Sequence, residues 1–395
     1  MSVVDVDTAS FLVIGSTAAL AATLVTFGGR WVFVPVVVLE LLLGIAIGPD
    51  ALGLAEADEF ITFFSNLGLG MLFFFAGYEI DFDRIRGVPL RLALVGWLVS
   101  LVLAYAIAGL LAVAGLVISM VFVGSAMATT AIGTLIPILD DAGELRTRFG
   151  TYLLAAGAVG EFGPILLITI LFSTDTPLTS GAILILFVVI AVFAAVFAVR
   201  FVGIGWEKIE GAMETSAQLP VRVSVVLVFA LAYLASDLGL DLLLGGFVAG
   251  IITRMALRGR EVTIFESKLS AIGYGFLIPF FFVVSGITFD VSALVDDPRR
   301  AVLVPIFFLL FLVVRGAPAL LLYRNALLRR DRAALAFFSS TELPLVVAIT
   351  TIAVAEGHMR ATTSAALVGA AVLSTAVYPL LGLRMRGSRA DPEGA

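Results

Sequence analysis

The chain has 395 residues, of which 61% are hydrophobic and only 14% are charged, and its mean hydropathy is +1.13. Soluble domains have an apolar share nearer ~45–50%, so this composition excludes an ordinary soluble domain and indicates a protein of the lipid bilayer. The formal net charge is −6 and there are no cysteines, which excludes disulfides and thiolate metal sites. The basic residues form no block or stripe, so we expect no nucleic-acid partner. We also expect no cofactor.

Apolar runs long enough to cross a bilayer follow one another along the whole chain, which predicts an all-α polytopic membrane protein with about 13 transmembrane helices. When alternate connections are assigned to opposite sides, 20 of the 24 Lys and Arg residues fall on one side and 3 on the other, with Arg315 inside a span. The basic side of a membrane protein is cytoplasmic. We therefore expect a cell-membrane protein with its N-terminus outside and its C-terminus inside. The runs lie near residues 9–27, 31–48, 60–78, 88–113, 117–137, 149–172, 181–202, 221–236, 240–256, 270–289, 301–323, 332–355 and 362–382.

Two short patterns recur in the two halves of the chain. Glu40-Leu-Leu-Leu-Gly44 matches Asp241-Leu-Leu-Leu-Gly245, and a Phe-Phe-Phe run at residue 73 matches one at residue 280. They suggest one duplicated unit of five spans, covering predicted spans 2–6 and 9–13. Because five is odd and two further spans separate the two units, the second unit enters the membrane in the opposite sense, as in many transporters. The alternative is coincidence, because Leu, Phe and Gly are abundant here.

This repeat divides a single transmembrane domain, residues 1–395, into segments. We expect the longest connection, near 203–219, to be amphipathic and to lie at the cytoplasmic interface between the two units. The segments are a first repeat unit at 31–172, linking helices at 173–239, a second repeat unit at 240–382 and a short cytoplasmic tail at 383–395.

Equivalent spans of the two units carry polar clusters near a proline. The first has Thr129 and Thr130 followed by Pro137, and the second has the run Ser339-Ser340-Thr341-Glu342-Leu343-Pro344. Proline removes a backbone donor, and interrupted helices in matching positions point to a binding site in transporters. We therefore predict two broken helices whose ends face each other near the middle of the membrane.

Glu161 lies roughly twelve residues into an uncharged run, which is near mid-bilayer at the rise of a helix. An acid at that depth is costly and normally faces a cavity or an ion, so Glu161 is the main candidate for ion and proton binding. The alternative is a carboxylate that is hydrogen-bonded only for helix packing.

Three further charged residues lie inside predicted spans and away from the span ends. Arg315 has apolar runs on both sides and needs a partner, which we expect to be Glu161 or Glu342; it is either a structural counter-ion or part of the mechanism. Glu342, beside Pro344, either binds an ion or neutralises Arg315. Glu40 is a secondary candidate, because Gly44 and Gly48 after it suggest close helix packing instead.

Several motifs resemble the monovalent cation:proton antiporter superfamily of sodium/potassium–proton exchangers. The similarity is greatest to the branch that contains the glutathione-gated potassium efflux transporters and bacterial sodium–proton exchangers. It covers nearly the whole chain in the order of the family. The residues that carry it are Pro35 with Glu40, Gly44, Gly48-Pro49 and Leu52-Gly53, then LGLGMLFFFAGYEID, SAMATTAIGTLIPIL with GELRTRFG, LLLGGFVAGIITR and IPFFFVVSGITFDVSAL.

The resemblance implies a homodimer with a dimerisation domain and a moving core in which the two broken helices cross beside the ion. It also implies that Thr129 and Thr130 are the polar pair of the first break, that Glu161 is the acid ending a two-residue signature, and that Arg315 is the embedded basic residue. The signature is usually Asp-Asp, Asn-Asp or Gln-Asp, whereas this chain has Gly160-Glu161. This departure leaves ion choice and stoichiometry open.

Together these features predict an antiporter that exchanges Na⁺ or K⁺ for protons by competition for Glu161, with Thr129 and Thr130 as further cation ligands. Two alternatives are a sodium-coupled symporter of organic anions and a membrane sensor that binds an ion without moving it. An intramembrane protease is excluded, because no span carries paired mid-membrane Asp residues, HExxH or a histidine. We therefore expect no enzyme activity.

Overall fold

The computed structural model describes residues 7–28, 35–80, 82–171, 177–214, 218–240, 242–257, 262–292 and 302–387. Within these ranges every regular element is a helix. In chain order they are α1 Thr8–Gly28, α2 Val36–Ile47, α3 Glu59–Tyr78, α4 Phe82–Ile85, α5 Val88–Val113, α6 Met120–Met127, α7 Ile132–Asp141, α8 Arg148–Leu171, α9 Pro177–Glu214, α10 Leu219–Asp237, α11 Leu242–Ala256, α12 Thr263–Ile287, α13 Leu303–Asn325, α14 Arg329–Ser339, α15 Pro344–Ala355 and α16 Ala361–Arg386.

The helices account for the apolar runs of the sequence. In the described part of the chain, 10 helical segments are long and apolar enough to cross a membrane, and three shorter apolar ones accompany them, at Val36–Ile47, Met120–Ile136 and Leu243–Ala256. This agrees with the prediction of an all-helical protein with about 13 spans. Helix α9 continues to Glu214, through most of the predicted connection near 203–219. Asp241 of the repeated pattern lies outside the described residues.

The described residues form two compact units. The first draws on residues 1–58, 82–164 and 282–395, and the second on 59–81 and 165–281. Every candidate ion-binding residue of the sequence, together with α6, α7, α14 and α15, belongs to the first unit.

In the second unit, α3 and α11 pack with their backbones almost in contact. A methyl group added at Gly77 would strike the carbonyl of Phe247, and one added at Gly250 would strike the carbonyl of Phe74. Small residues at such positions let two apolar helices approach closely inside a membrane, where dispersion contacts drive association.

The first unit uses the same device between α2 and α12. A Cβ atom on Gly48 would lie 3.1 Å from the Cα of Ile287, and one on Gly286 would lie 2.8 Å from the Cα of Gly44. The close packing predicted for Gly44 and Gly48 is thereby confirmed. Glu40 is on the same helix and is 3% exposed.

A buried ion cluster fastens one end of the first unit. The Arg386 guanidinium, at the end of α16, donates to both carboxylate oxygens of Glu144 at 3.0 and 2.9 Å and to Asp331 at 2.6 Å. It also lies 4.6 Å from the centre of the Phe149 ring. Bidentate geometry of this kind offsets the cost of removing the charges from water. The cluster joins the loop after α7, the first turn of α14 and the end of α16.

Candidate functional site

Two helices of the first unit are interrupted where the sequence predicts. The first break, residues 128–131, separates α6 from α7, and the second, residues 340–343, separates α14 from α15. Pro344 is the first residue of α15, where its missing N–H costs nothing. Pro137 lies inside α7 and not at the break, so the expectation that a proline interrupts the first helix is wrong.

Hydrogen bonds between the breaks explain why the chain leaves the helical path. The Ala131 N–H donates to the carbonyl of Thr341 at 2.8 Å, and the Thr130 hydroxyl donates to the carbonyl of Ser339 at 2.5 Å. The Thr130 N–H donates to the carbonyl of Gly160 on α8 at 3.0 Å. The N–H groups of Thr130 and Ala131, which the break frees from a helix, thus find partners elsewhere, as a buried amide requires.

Glu161 is a residue of α8, and its carboxylate lies at the N-terminus of α7. Its side chain is 1% exposed, and the backbone N–H groups of Ile132 and Gly133 face its carboxylate. The first N–H groups of a helix have no partner within it and carry a partial positive charge, so they suit an anion. Atom Oε2 of Glu161 is buried and has no hydrogen-bond partner among the described residues. One acceptor position on this acid is therefore available to a proton or a cation.

Arg315 lies in a π-helical turn of α13 and is 5% exposed. Its guanidinium makes no ion pair within 4.0 Å in the described part of the chain, and its hydrogen-bond partners are neutral. The expected pairing with Glu161 is therefore wrong, and Glu342 interacts with the guanidinium only at longer range. The acceptors are the Thr130 hydroxyl at 2.9 and 2.7 Å, the Ser100 hydroxyl at 3.3 Å, and the carbonyls of Ala156 at 3.2 Å and Ser339 at 3.4 Å.

Gly160 provides the space for this guanidinium. A Cβ atom at residue 160 would collide with Nη2 of Arg315 and would lie 2.8 Å from the Thr130 hydroxyl oxygen. The absence of a side chain before Glu161 thus has a steric reason, because the charged end of Arg315 occupies that place.

The two threonines of the first break have different surroundings. The Thr130 oxygen accepts two hydrogen bonds from Arg315 and uses its own hydrogen for Ser339, so neither lone pair remains for a cation. Ligation of a cation by Thr130, as the sequence predicts, therefore requires that its hydrogen bonds with Arg315 be broken. Thr129 donates to the carbonyl of Ala126 at 3.0 Å, and its hydroxyl lies beside the Glu342 carboxylate. Its lone pairs stay available.

Glu342 is the acid of the second break and is 0% exposed. Neither of its carboxylate oxygens makes a hydrogen bond of normal geometry to the described residues, although the Thr129 hydroxyl is close. The structure thus brings Thr129 and Glu342 together from the two breaks. Glu40, by contrast, is on α2, which packs against α12 and forms neither break.

Sequence reasoning missed several residues that hold this site. The indole N–H of Trp97 on α5 donates to the carbonyl of Ala128 at 3.1 Å, and its ring packs against Gly163. Ser374 and Thr375 on α16 bind the backbone of Glu342. An adjacent pair of hydroxyl residues within the apolar run 362–382 was a signal that could have been used.

The fold and the site define a helical membrane protein with two hydrogen-bonded helix breaks and buried acids beside them. Residues 16–382 match the family described as "Sodium/hydrogen exchanger, transmembrane", and the chain belongs to this family. It is 32% identical over 271 residues to the Na⁺/H⁺-K⁺ antiporter GerN of Bacillus cereus, covering 65% of this chain and 66% of GerN.

Two further proteins show how far the similarity extends. YjbQ of Bacillus subtilis is 26% identical over 385 residues, covering 91% of this chain and 60% of that protein. The chain thus spans less than two thirds of the length of both YjbQ and GerN. The structure of the sodium proton antiporter MjNhaP1 from Methanocaldococcus jannaschii superposes with a TM-score of 0.63 at 16% identity, covering 96% of this chain and 99% of that one. This likeness shows that the fold is shared.

Proposed function

We propose that the protein is a secondary antiporter that exchanges a monovalent cation, Na⁺ or K⁺, for protons across the cell membrane. The observation that carries the proposal is the Glu161 carboxylate, which is buried at the start of α7 with one oxygen unpartnered. Family membership and the name of the relative GerN support the choice of ions.

A single buried acid is enough for exchange, because a proton and a cation compete for the same oxygens. A bare carboxylate is expensive to keep away from water, whereas the protonated or cation-bound site is nearly neutral. The site therefore changes its access from one side of the membrane to the other rapidly when it is occupied and slowly when it is empty. This coupling requires alternation between two access states and no bond-breaking chemistry.

The test uses everted membrane vesicles with a pH-sensitive dye. Adding Na⁺ or K⁺ to vesicles with an acidified lumen should raise the lumenal pH. Glu161→Gln should abolish this response, because the amide has nearly the same shape but neither takes up nor releases a proton. Glu40→Gln, a second buried acid outside the breaks, should retain exchange. Exchange that persists in Glu161→Gln would remove this residue from the mechanism.

The same assay separates the alternatives. A sodium-coupled symporter of organic anions would respond only when its anion is present, and an ion-binding sensor would give no pH change at all. Either pattern in the wild-type protein would overturn the antiporter proposal.

We further propose one-for-one, electroneutral exchange. Gly160 offers no side chain, and Arg315 has only donor groups, so neither supplies a second exchangeable proton. In this scheme Glu342 stays charged, balanced by Arg315, and Glu161 is the only group that takes up a proton when the cation leaves. In liposomes, a potassium–valinomycin potential should leave the reversal point of Na⁺ transport unchanged. A voltage-dependent reversal point would identify Glu342 as a second proton carrier.

The proposal extends to the architecture. We propose two inverted five-helix repeats at 31–172 and 240–382 whose breaks cross, a homodimer, and an orientation with the N-terminus outside. Support comes from the matching positions of the two breaks and from the bias of basic residues. Cross-linking in native membranes tests the dimer. Labelling of single cysteines in the cysteine-free chain tests the orientation.

A further inference from the structure

The backbone of Glu342, in the second break, is held by α16. The N–H of Glu342 donates to the Ser374 hydroxyl at 3.0 Å, and its carbonyl lies 3.3 Å from the Thr375 hydroxyl and 3.1 Å from that of Ser374. Both hydroxyls share their hydrogens between this carbonyl and that of Ala371. Residue 342 belongs to neither α14 nor α15, so α16 satisfies both backbone groups of this residue.

The side chain of the same residue is arranged in the opposite way. Both Glu342 oxygens are buried and lack a hydrogen-bond partner among the described residues, with the Thr129 hydroxyl close by. Leaving acceptor positions unfilled on a buried carboxylate is costly, and a cation between the acid and a hydroxyl fills them. A backbone fixed by hydrogen bonds, together with a carboxylate that lacks them, is the arrangement expected of a cation ligand.

Other contacts make α16 a rigid support for this region. The Tyr378 hydroxyl donates to the carbonyl of Phe308, and its ring stacks on that residue with centroids 4.5 Å apart. The ring of Phe338, near the end of α14, packs against Gly382, where a side chain would collide with it. Residues 374, 378 and 382 are four apart and form one face of the helix. Ser374 and Thr375 are 0% exposed and lie at that face.

We propose that Ser374 and Thr375 are positioning residues that hold the second break so that the Glu342 carboxylate, with Thr129, ligates the transported monovalent cation. The inference rests on the proposed antiporter function and assigns a specific task to α16. In this role the two hydroxyls bind neither the cation nor the proton, and they act through the backbone of residue 342.

The experiment compares Ser374→Ala/Thr375→Val with wild type in the vesicle assay at several cation concentrations and pH values. Loss of the three hydrogen bonds between these hydroxyls and the backbone of Glu342 should raise the apparent KM for the cation about 5- to 10-fold, with a smaller change in maximal rate. Since weaker cation binding lets protons compete better, the onset of activity should move to higher pH by up to about one unit. Thr375→Ser, which keeps the hydroxyl, should stay within about twofold of wild type.

The matched control is Thr363→Val on the same helix. Thr363 is 1% exposed, and its hydroxyl has no hydrogen-bond partner among the described residues, so its loss should leave KM and the pH profile unchanged. If Ser374→Ala/Thr375→Val lowers only the melting temperature, with KM and pH profile as in wild type, the residues merely support the fold and the inference fails. It also fails if Glu342→Gln leaves apparent cation affinity unaltered.

A second readout separates this inference from the proposed function. A bound cation raises the melting temperature of the purified protein by linkage, whether or not transport occurs. The double variant should need about 5- to 10-fold more Na⁺ or K⁺ for the same rise. A wild-type protein that shows this rise without exchange would refute the antiporter and leave the positioning role standing. Exchange in wild type with an unchanged cation requirement in the variant would refute only the positioning role.

Discussion

The two helix breaks occupy matching positions, but the Thr130 hydroxyl of the first and the Glu342 carboxylate of the second differ in the hydrogen bonds they make. At the first break, the Thr130 hydroxyl is saturated by Arg315 and Ser339, and Trp97 binds the carbonyl of Ala128. At the second, hydroxyls of α16 bind the backbone and the Glu342 carboxylate remains without a hydrogen bond. A helix break therefore has two separable tasks, which are to satisfy its own freed backbone groups and to present a ligand. The variants below separate these tasks.

The largest expected effect comes from Arg315→Ala. It would leave the Thr130 hydroxyl and the Ala156 carbonyl without their charged donor and open a cavity beside Gly160, at a cost of about 3–5 kcal/mol in the free energy of unfolding. Thermal melting in detergent should show a much greater loss than in Glu342→Gln, which removes no hydrogen bond seen here. Equal melting temperatures for wild type and Arg315→Ala would contradict the assignment of Arg315 to the first break.

Gly160→Ala should have the next largest effect. Its methyl group would collide with the Arg315 guanidinium, and overpacking of this kind costs about 1–3 kcal/mol. Gly15→Ala on α1 is the control, because a Cβ there meets nothing within 4 Å. That change should be neutral or stabilising by up to about 1 kcal/mol.

A double-mutant cycle with Arg315→Lys sharpens this prediction. The shorter ammonium has no group at the position of Nη2, so the cost of Gly160→Ala should be smaller when Arg315→Lys is already present. Additive losses in melting temperature would mean that the glycine and the guanidinium do not share this space.

Separate substitution of the two threonines tests the division of labour within the first break. Thr130→Val removes the acceptor of two Arg315 hydrogen bonds and should lower the unfolding free energy by about 1–3 kcal/mol. Thr129→Val should instead raise the apparent KM for the cation while changing the melting temperature less. If the two variants exchanged these effects, Thr130 would be the cation ligand after all.

Trp97→Phe should have the smallest effect. It removes the indole hydrogen bond to the Ala128 carbonyl but keeps an aromatic ring against Gly163, so we expect a loss of about 1 kcal/mol in stability and unchanged cation affinity. Tyr105→Phe on the same helix, which loses a bond to the Ser125 hydroxyl, provides a comparison outside the break. A large loss of cation affinity in Trp97→Phe alone would mean that the Trp97 hydrogen bond also orients Thr129.

The sequence determined much of this protein because the relevant signals are local. Apolar runs predict spans, and polar clusters at Thr129–Thr130 and Ser339–Pro344 predict the two breaks, since hydropathy is a property of neighbouring residues. A lone acid in an apolar run marks Glu161 for the same reason.

Only the tertiary structure decided which lone pairs are in use. Arg315 and Thr130 are 185 residues apart in sequence, and Glu342 and Ser374 are 32 apart. No local pattern therefore reveals that the hydrogen-bonding positions of the Thr130 hydroxyl are all filled or that the backbone of Glu342 is held by α16. The first break forms without a proline at its centre, because the backbone groups of Thr130 and Ala131 are bound by Gly160 and Thr341. Gly160 likewise acquires its meaning from a guanidinium that reaches it from a distant helix. Hydrogen-bond saturation and steric fit depend on which groups meet in space, and that is settled when the helices pack.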